Sequence, residues 1–466
     1  MKKQRFYSYI FIIILFLGAF LLTRKSHQNK NPKNPIPSKI NPEITNIVQN
    51  ISALNIKKDI LKLVSFRQRQ TTSDTVSNRT GIGAARRWIK SKLDEYSKAS
   101  GGRLHVYYDG YLQKPASRIA HPTRIVDVVA VLPGTQSESK NRMYIVSGHY
   151  DSRVTNIMND TSFAPGADDD GSGVAAMLEM ARVMSKYKFD ATIVFMAVAG
   201  EEQGLYGSTH FAKEAKSKNW NIAGMITNDI IGSPKAEDGK IDSNVVRVFA
   251  QGIPPHKTLC PRERMLLRTG GENDTAPREL ARLIRETAQK YLPDMNINII
   301  YRNDRYLRGG DHMPFLAEGY PAVRFTEPHE DFRHQHQDVR VQNGVRYGDL
   351  PQFVDYHYTA NVIRVNAASL ATLTLAPARP QNVGMSITKL TNNTTLKWDP
   401  NREPDLAGYQ IVWRNTNYPY WQHKKYVGNV TQFTIKNVSK DNYIFGVEAV
   451  DNDENVSPAV YPMPVQ

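Results

Sequence analysis

At 466 residues, 40% of them hydrophobic and 23% charged, the chain is long enough for two or more globular domains. Its formal net charge of +15 points less to nucleic acid than it first suggests. Eight Lys and Arg residues precede the first acid, Glu43, and without them the rest carries +7 with no long basic run. The single cysteine, Cys260, excludes an intrachain disulfide framework.

Lys2, Lys3 and Arg5 precede an apolar stretch from Tyr7 to Leu22, and Arg24-Lys25 follows it directly. This reads as a secretory signal or an uncleaved signal anchor over residues 1–25, so the protein is expected to be exported, secreted or periplasmic, with membrane anchoring left open. Residues 26–44 are rich in Asn, Lys and Pro and are expected to be a linker. From Pro42 to Tyr96 the pattern is helical. Apolar strands are then expected at Ile125–Leu132, Met143–Ser147, Thr192–Val198, Ile222–Thr227 and Pro321–Phe325. Helical periodicity falls between and after them, at 174–187, 277–291 and 357–375. The alternation predicts an α/β domain over 45–376, a mostly parallel sheet sandwiched by helices. Ala376-Pro377-Ala378-Arg379-Pro380 marks a boundary. Beyond it, residues 381–466 alternate at period two between turn residues and are expected to be an all-β sandwich. Its pattern resembles a fibronectin type III domain, with Trp398 as an early core tryptophan and Tyr443 at the tyrosine-corner position. It shows no chemical constellation, and a spacer or a surface-contact role both fit.

The chemistry lies at the strand ends. Asp168-Asp169-Asp170 sits between glycines at a strand-to-helix turn, where three carboxylates repel one another and call for a cation. Strand 143–147 runs into His149 and Asp151, two apart and so on the same side of an extended chain. Strand 192–198 runs into Glu201-Glu202, and strand 222–227 into Asn228-Asp229. The last strand leads through Glu327 to His334-Gln335-His336-Gln337-Asp338, and Gly310-Asp311-His312 marks another polar turn. Each piece alone has an ordinary structural reading: a solvated acidic turn, or an N-cap aspartate. Together they deliver His, Asp or Glu at the carboxyl ends of successive strands, where an open sheet builds its sites. Carboxylate and imidazole without thiolate suit zinc or a related ion in an open site, with groups enough for two ions. Spacing does not choose among the three aspartates. No EF-hand, His-Glu-x-x-His, nucleophile elbow or phosphate-binding loop is present.

The set Ser-Gly-His149-Tyr-Asp151-Ser, Pro-Gly-Ala-Asp168-Asp-Asp-Gly-Ser-Gly, Ala-Gly-Glu201-Glu202-Gln-Gly-Leu-Tyr-Gly-Ser, Asn-Asp229 and Gly-Asp311-His312 resembles the secreted dizinc aminopeptidases of peptidase family M28. That family also includes glutamate carboxypeptidases and glutaminyl cyclases. The resemblance implies a zinc-exopeptidase fold, two Zn2+ (other divalent transition metals also fit) and peptide substrates. It implies His149 and Asp229 as ligands of one ion, with Asp151 as the partner of the His149 ring. It implies Asp168 as the bridging carboxylate, Glu202 as ligand of the second ion and Glu201 as general base. For the last ligand the family's His-x-x-x-Asp spacing selects His334 with Asp338, and His336 is the competitor. Asp311 and His312 receive no firm role. The implied reaction is release of N-terminal residues from peptides. Two alternatives stand beside it: a carboxypeptidase or dipeptidase, for which Arg302, Arg305 and Arg308 could hold a carboxylate, and a non-catalytic binding ectodomain.

Overall fold

The apolar runs become strands because they can be covered on both faces. Thr192–Val198 is buried at every position. A computed structural model describes residues 39–254 and 259–466; the expected signal or anchor and most of the expected linker lie outside the described residues. Among the described residues no helix is long and apolar enough to cross a membrane.

Eight strands form one sheet: β1 (His105–Gln113), β2 (Thr123–Leu132), β3 (Arg142–His149), β4 (Thr192–Val198), β5 (Asn221–Asn228), β6 (Val245–Ala250), β7 (Asn296–Ile300) and β8 (Ala322–Thr326). Their order is β1-β2-β4-β3-β5-β8-β6-β7. The central run β4-β3-β5-β8 is parallel, as is β6-β7. The pairs β1-β2, β2-β4 and β6-β8 are antiparallel, so the sheet is mixed towards its edges. On one face lies the helix Gly171–Met184, apolar on nearly every side, with the helices Ala53–Ser65 and Tyr356–Leu375 packed over it. On the other, Phe211 and Phe315 from the helices Tyr206–Ser217 and His312–Ala317 meet Val129, Ile145, Val194 and Met196 of the sheet.

One close approach sets the site. A Cβ at Gly148 would stand 2.3 Å from the carbonyl carbon of Gly173, so the end of β3 runs directly against the first turn of the helix Gly171–Met184. The carboxylate of Asp170 seals this junction. It caps the helix by accepting from the Gly173 amide at 2.9 Å and ties the strand by accepting from the His149 amide at 2.9 Å. The turn carrying Asp168 and Asp169 is thereby fixed beside His149.

After Leu375 the chain enters seven strands in two sheets: four at Gly384–Ser386, Thr394–Lys397, Gln432–Ile435 and Met463–Val465, and three at Leu406–Asn415, His423–Gly428 and Tyr443–Asp451. Trp398, Tyr409 and Phe445 lie in the core between them. The hydroxyl of Tyr409 accepts from the Asn401 amide, while Tyr443 packs edge-on against Phe445. This β unit is joined to the sheet-bearing half by a buried seam. Val412, Trp421 and Tyr461 enclose Leu266 of the helix Pro261–Thr269. Arg414 grips Asp274 at 2.7 and 2.8 Å, and the Trp421 indole donates to Glu279 at 3.1 Å.

Candidate metal centre

Four strand ends deliver the site. β3 ends on His149, β5 on Asn228 just before Asp229, and β8 on Thr326 just before Glu327. After β4, Gly200 adopts a left-handed conformation (φ +78°) that turns the chain so Glu201 and Glu202 open a short helix.

Two three-residue sets face one another here. His149, Glu201 and Asp229 offer donor atoms within 4.8 Å of one another, and so do Asp169, Glu202 and His336. Asp169 stands between the two imidazoles. One oxygen lies 3.2 Å from His149 Nε2, the other 2.9 Å from His336 Nε2. His336 Nε2 also lies 3.2 Å from Glu202 Oε1, and His149 Nε2 lies 3.9 Å from Asp229 Oδ1.

The surroundings hold these groups in place. Asp151 sits 3.6 Å from His149 Nδ1 and accepts from the Glu202 amide at 3.1 Å, linking the ring to the Glu201-Glu202 turn. Thr71 donates to the same carboxylate. Arg324, fully buried, meets Asp229 Oδ1 at 3.0 Å and donates to the Gly309 carbonyl at 2.8 Å. Gln335 donates to Asp169 at 3.1 Å.

The geometry differs from the sequence-based expectation at two positions. Asp168 does not lie between the histidines. Its Oδ1 accepts from the Gly232 amide at 2.7 Å, and its carboxyl pairs with that of Glu327. Successive residues of a turn point apart, and here the turn aims Asp169 at the site while Asp349 accepts from the amides of both. His334 also points elsewhere. Its ring stacks on Phe353 at 3.7 Å between centroids, with Nδ1 3.8 Å from Asp331. His336, in a left-handed conformation (φ +56°), turns inward instead. Asp311 accepts from Ser208 at 2.6 Å, and His312 Nε2 lies 2.6 Å from the Asn303 carbonyl; neither belongs to the two sets. Sequence reasoning did not find Arg324 or Asp349, because a buried arginine in a strand and an aspartate in a loop carry no local signature.

Electrostatics show what is missing from the charge balance. Burial pushes the Glu201 carboxyl well above its usual range, and Asp229 and Glu202 add to this against the pull of His149. Burial opposes charge on His336, but Glu202 and Asp169 outweigh it and hold the ring at about 10. Burial also raises Asp169, and His336 and His149 more than reverse this, holding it well below the usual carboxylate range. The buried carboxylates thus raise the affinity of the neighbouring imidazoles for protons. Divalent cations would displace those protons and balance the same charge. The fit is supported by two buried atoms that make no hydrogen bond, His149 Nε2 and Glu202 Oε1, one in each set. Imidazole and carboxylate donors without thiolate suit zinc.

The sets open into a cleft of about 660 Å³. Beyond the carboxylates of the two sets, its charged walls are Arg118, Arg153, Arg305 and Arg308, with Leu307 and Phe332 at its rim.

Residues 127–343 match the family model of peptidase family M28. Over 422 residues the chain is 49% identical to a probable zinc metalloprotease of Leptosphaeria maculans, covering 91% of this chain and 97% of that protein. A probable zinc metalloprotease of Pyricularia oryzae is 46% identical over 419 residues, covering 89% and 83%. Among solved structures, the LapA aminopeptidase of Legionella pneumophila aligns with a TM-score of 0.50 at 19% identity, over 72% of this chain and 76% of that one. LapB from the same organism aligns with a TM-score of 0.51 at 18% identity, over 76% and 81%. At these identities the likeness is one of fold.

Proposed function

This chain belongs to peptidase family M28, and from that premise we propose that it is a zinc-dependent aminopeptidase, hydrolysing the first peptide bond of its substrates. The observation that carries the proposal is Asp169 between His149 and His336, with Glu201 and Asp229 beside the first and Glu202 beside the second. His149 and Asp229 would hold one zinc ion, His336 and Glu202 a second, and Asp169 would be shared. Two ions held there would supply Lewis acidity to the scissile carbonyl and to the attacking water.

The chain's own residues do the rest. Glu201 is the proton carrier: its carboxylate lies beside His149 and Asp229, where it can accept a proton from the attacking water and give it to the leaving nitrogen. One water is consumed, and the products are an amino acid and a shortened peptide. Asp151 sets the His149 ring and the amides of Glu201 and Glu202 in one frame, so the base and the ligands keep a fixed relation. Glu201→Gln in the zinc-loaded protein should lower the hydrolysis of aminoacyl reporters by about 10²–10⁴-fold. Near-wild-type rates in that variant, or in chelator-treated protein, would sink the reading.

A second reading, carboxypeptidase or dipeptidase, draws support from the four arginines of the cleft. N-blocked and C-blocked peptides separate the two, since an aminopeptidase spares the first and a carboxypeptidase the second. We further propose export through the N-terminal segment, checked by N-terminal sequencing of protein recovered outside the cell. The β unit's sheets of four and three strands support a fibronectin type III-like fold, with its structural role at the seam.

A further inference from the structure

The charged residues lining the cleft divide sharply. The carboxylates, Asp169, Glu201, Glu202 and Asp229, all belong to the two sets of candidate ligands. Once divalent ions offset them, the remaining charge that a substrate meets is entirely cationic: Arg118, Arg153, Arg305 and Arg308. These come from three separate stretches of chain, the segment between β1 and β2, the loop after β3, and the loop that follows β7. Convergence of three segments on one cleft sets them apart from arginines scattered on a solvated surface.

Their charge is incompletely compensated by the protein. Arg118 donates to the Glu202 backbone carbonyl at 3.1 Å, and Arg153 donates to the carbonyls of Val154 and Thr155 at 3.1 and 3.0 Å. Neither has a carboxylate partner among the described residues. Arg305 lies 3.2 Å from Glu330 and 3.1 Å from Asp304, and Arg308 lies 2.7 Å from Glu330, but Glu330 also serves Arg247 at 3.1 Å and Asp304 also serves Arg324 at 3.3 Å, two acids among four guanidinium groups. At Arg118 and Arg153, backbone carbonyls thus orient the cations without neutralising them, and a guanidinium so placed is suited to a bidentate carboxylate. At the rim, Leu307 is 92% exposed and Phe332 57% exposed, apolar surface available to an apolar side chain.

We propose that the cleft selects peptides bearing a carboxylate near the scissile bond, either the free C-terminus of a very short peptide or the side chain of an Asp or Glu residue. The proposal rests on the peptidase reading and narrows its substrate class. The carboxylate is held by the arginine group while an adjoining apolar side chain covers Leu307 and Phe332. Attraction from several cations acts before contact as well as in the complex, so the preference weakens as salt screens it.

The test uses the full zinc-loaded protein in two arms. One compares Leu-Leu with Leu-Leu amide; the other compares a glutamyl anilide with a glutaminyl anilide. The expected result is a kcat/KM ratio of acid to neutral substrate of at least about tenfold in one arm, as befits a charge-assisted contact. The arm in which it occurs identifies the source of the carboxylate. The ratio should fall toward one at high ionic strength and in Arg118→Gln and Arg153→Gln proteins. Ratios near one in both arms, or ratios unmoved by both substitutions and by salt, overturn the proposal. Should zinc-loaded protein cleave nothing, the peptidase reading fails by itself. Calorimetric binding of Leu-Leu and its amide to wild-type and Arg153→Gln proteins then decides the carboxylate preference separately: acid selectivity lost in the variant supports it, and equal binding overturns it.

Discussion

Along the seam between the sheet-bearing half and the β unit, buried and half-buried acids meet cations that the chain itself provides. Asp274 lies between Arg414 at 2.7 Å and Arg282 at 3.0 Å, Glu279 pairs with Arg282, and Glu286 takes Lys424 at 2.6 Å. At the ends of β3, β4 and β5 the acids are as deeply placed but are not matched. Asp169, Glu201, Glu202 and Asp229 crowd around two imidazoles and the guanidinium of Arg324. Buried carboxylates therefore do not mark a site by themselves. They mark one where the protein withholds the counter-charge, leaving an open position for ions and substrate.

The comparison breaks most visibly at the seam. Asp274→Ala leaves Arg414 buried without its carboxylate and should cost about 3–5 kcal/mol of stability by denaturant unfolding. Zinc content of the folded fraction should be unchanged, because Asp274 touches none of the ligands. A variant of wild-type stability would show that the seam is not held by this pair.

A smaller effect is expected at Glu330, which belongs with the matched class although it borders the cleft. Burial pushes its carboxyl up, but Arg305, Arg308 and Arg324 outweigh this and hold it at about 2, below the usual 4.5. A depressed carboxylate stabilises the fold above pH 4.5, and that contribution is lost as pH falls toward 2. The stake is about 3 kcal/mol, so Glu330→Gln should flatten the acid limb of a stability–pH profile between those values. An unchanged limb would remove Glu330 from the matched class.

Arg324 joins the two classes, touching both Asp229 and Asp304. Arg324→Met should lower zinc affinity or kcat/KM by about 10–100-fold by freeing Asp229. Arg324→Lys should recover part of the loss if the role is charge as well as shape. Equal loss in both variants would assign the arginine to shape alone.

The strands that frame the site were legible because each is a continuous apolar run covered on both faces. Thr192–Val198 coincides with its expected span. β1 was not legible, since its alternation of exposed and half-buried positions at the sheet edge leaves no apolar run to read. Nor could composition give strand direction, which is why the antiparallel pairs at β2 and β6 went unforeseen. The residue types of the site were readable as a set, but not the choice between neighbours. Asp168 and Asp169 differ only in where a tight turn aims them. The spacing of His334 to Asp338 favoured His334, while the backbone turns His336 inward and leaves His334 stacked on Phe353.

The central claim is that Asp169 and His336, together with His149, Glu202 and Asp229, form a centre for two ions. Its most direct test is the metal content of protein dialysed against limiting free zinc. The account expects close to two zinc per chain in the wild type, close to two in His334→Ala, and a clear deficit in His336→Ala and Asp169→Ala. No zinc in the wild type, or a deficit in His334→Ala with full loading of His336→Ala, would contradict it.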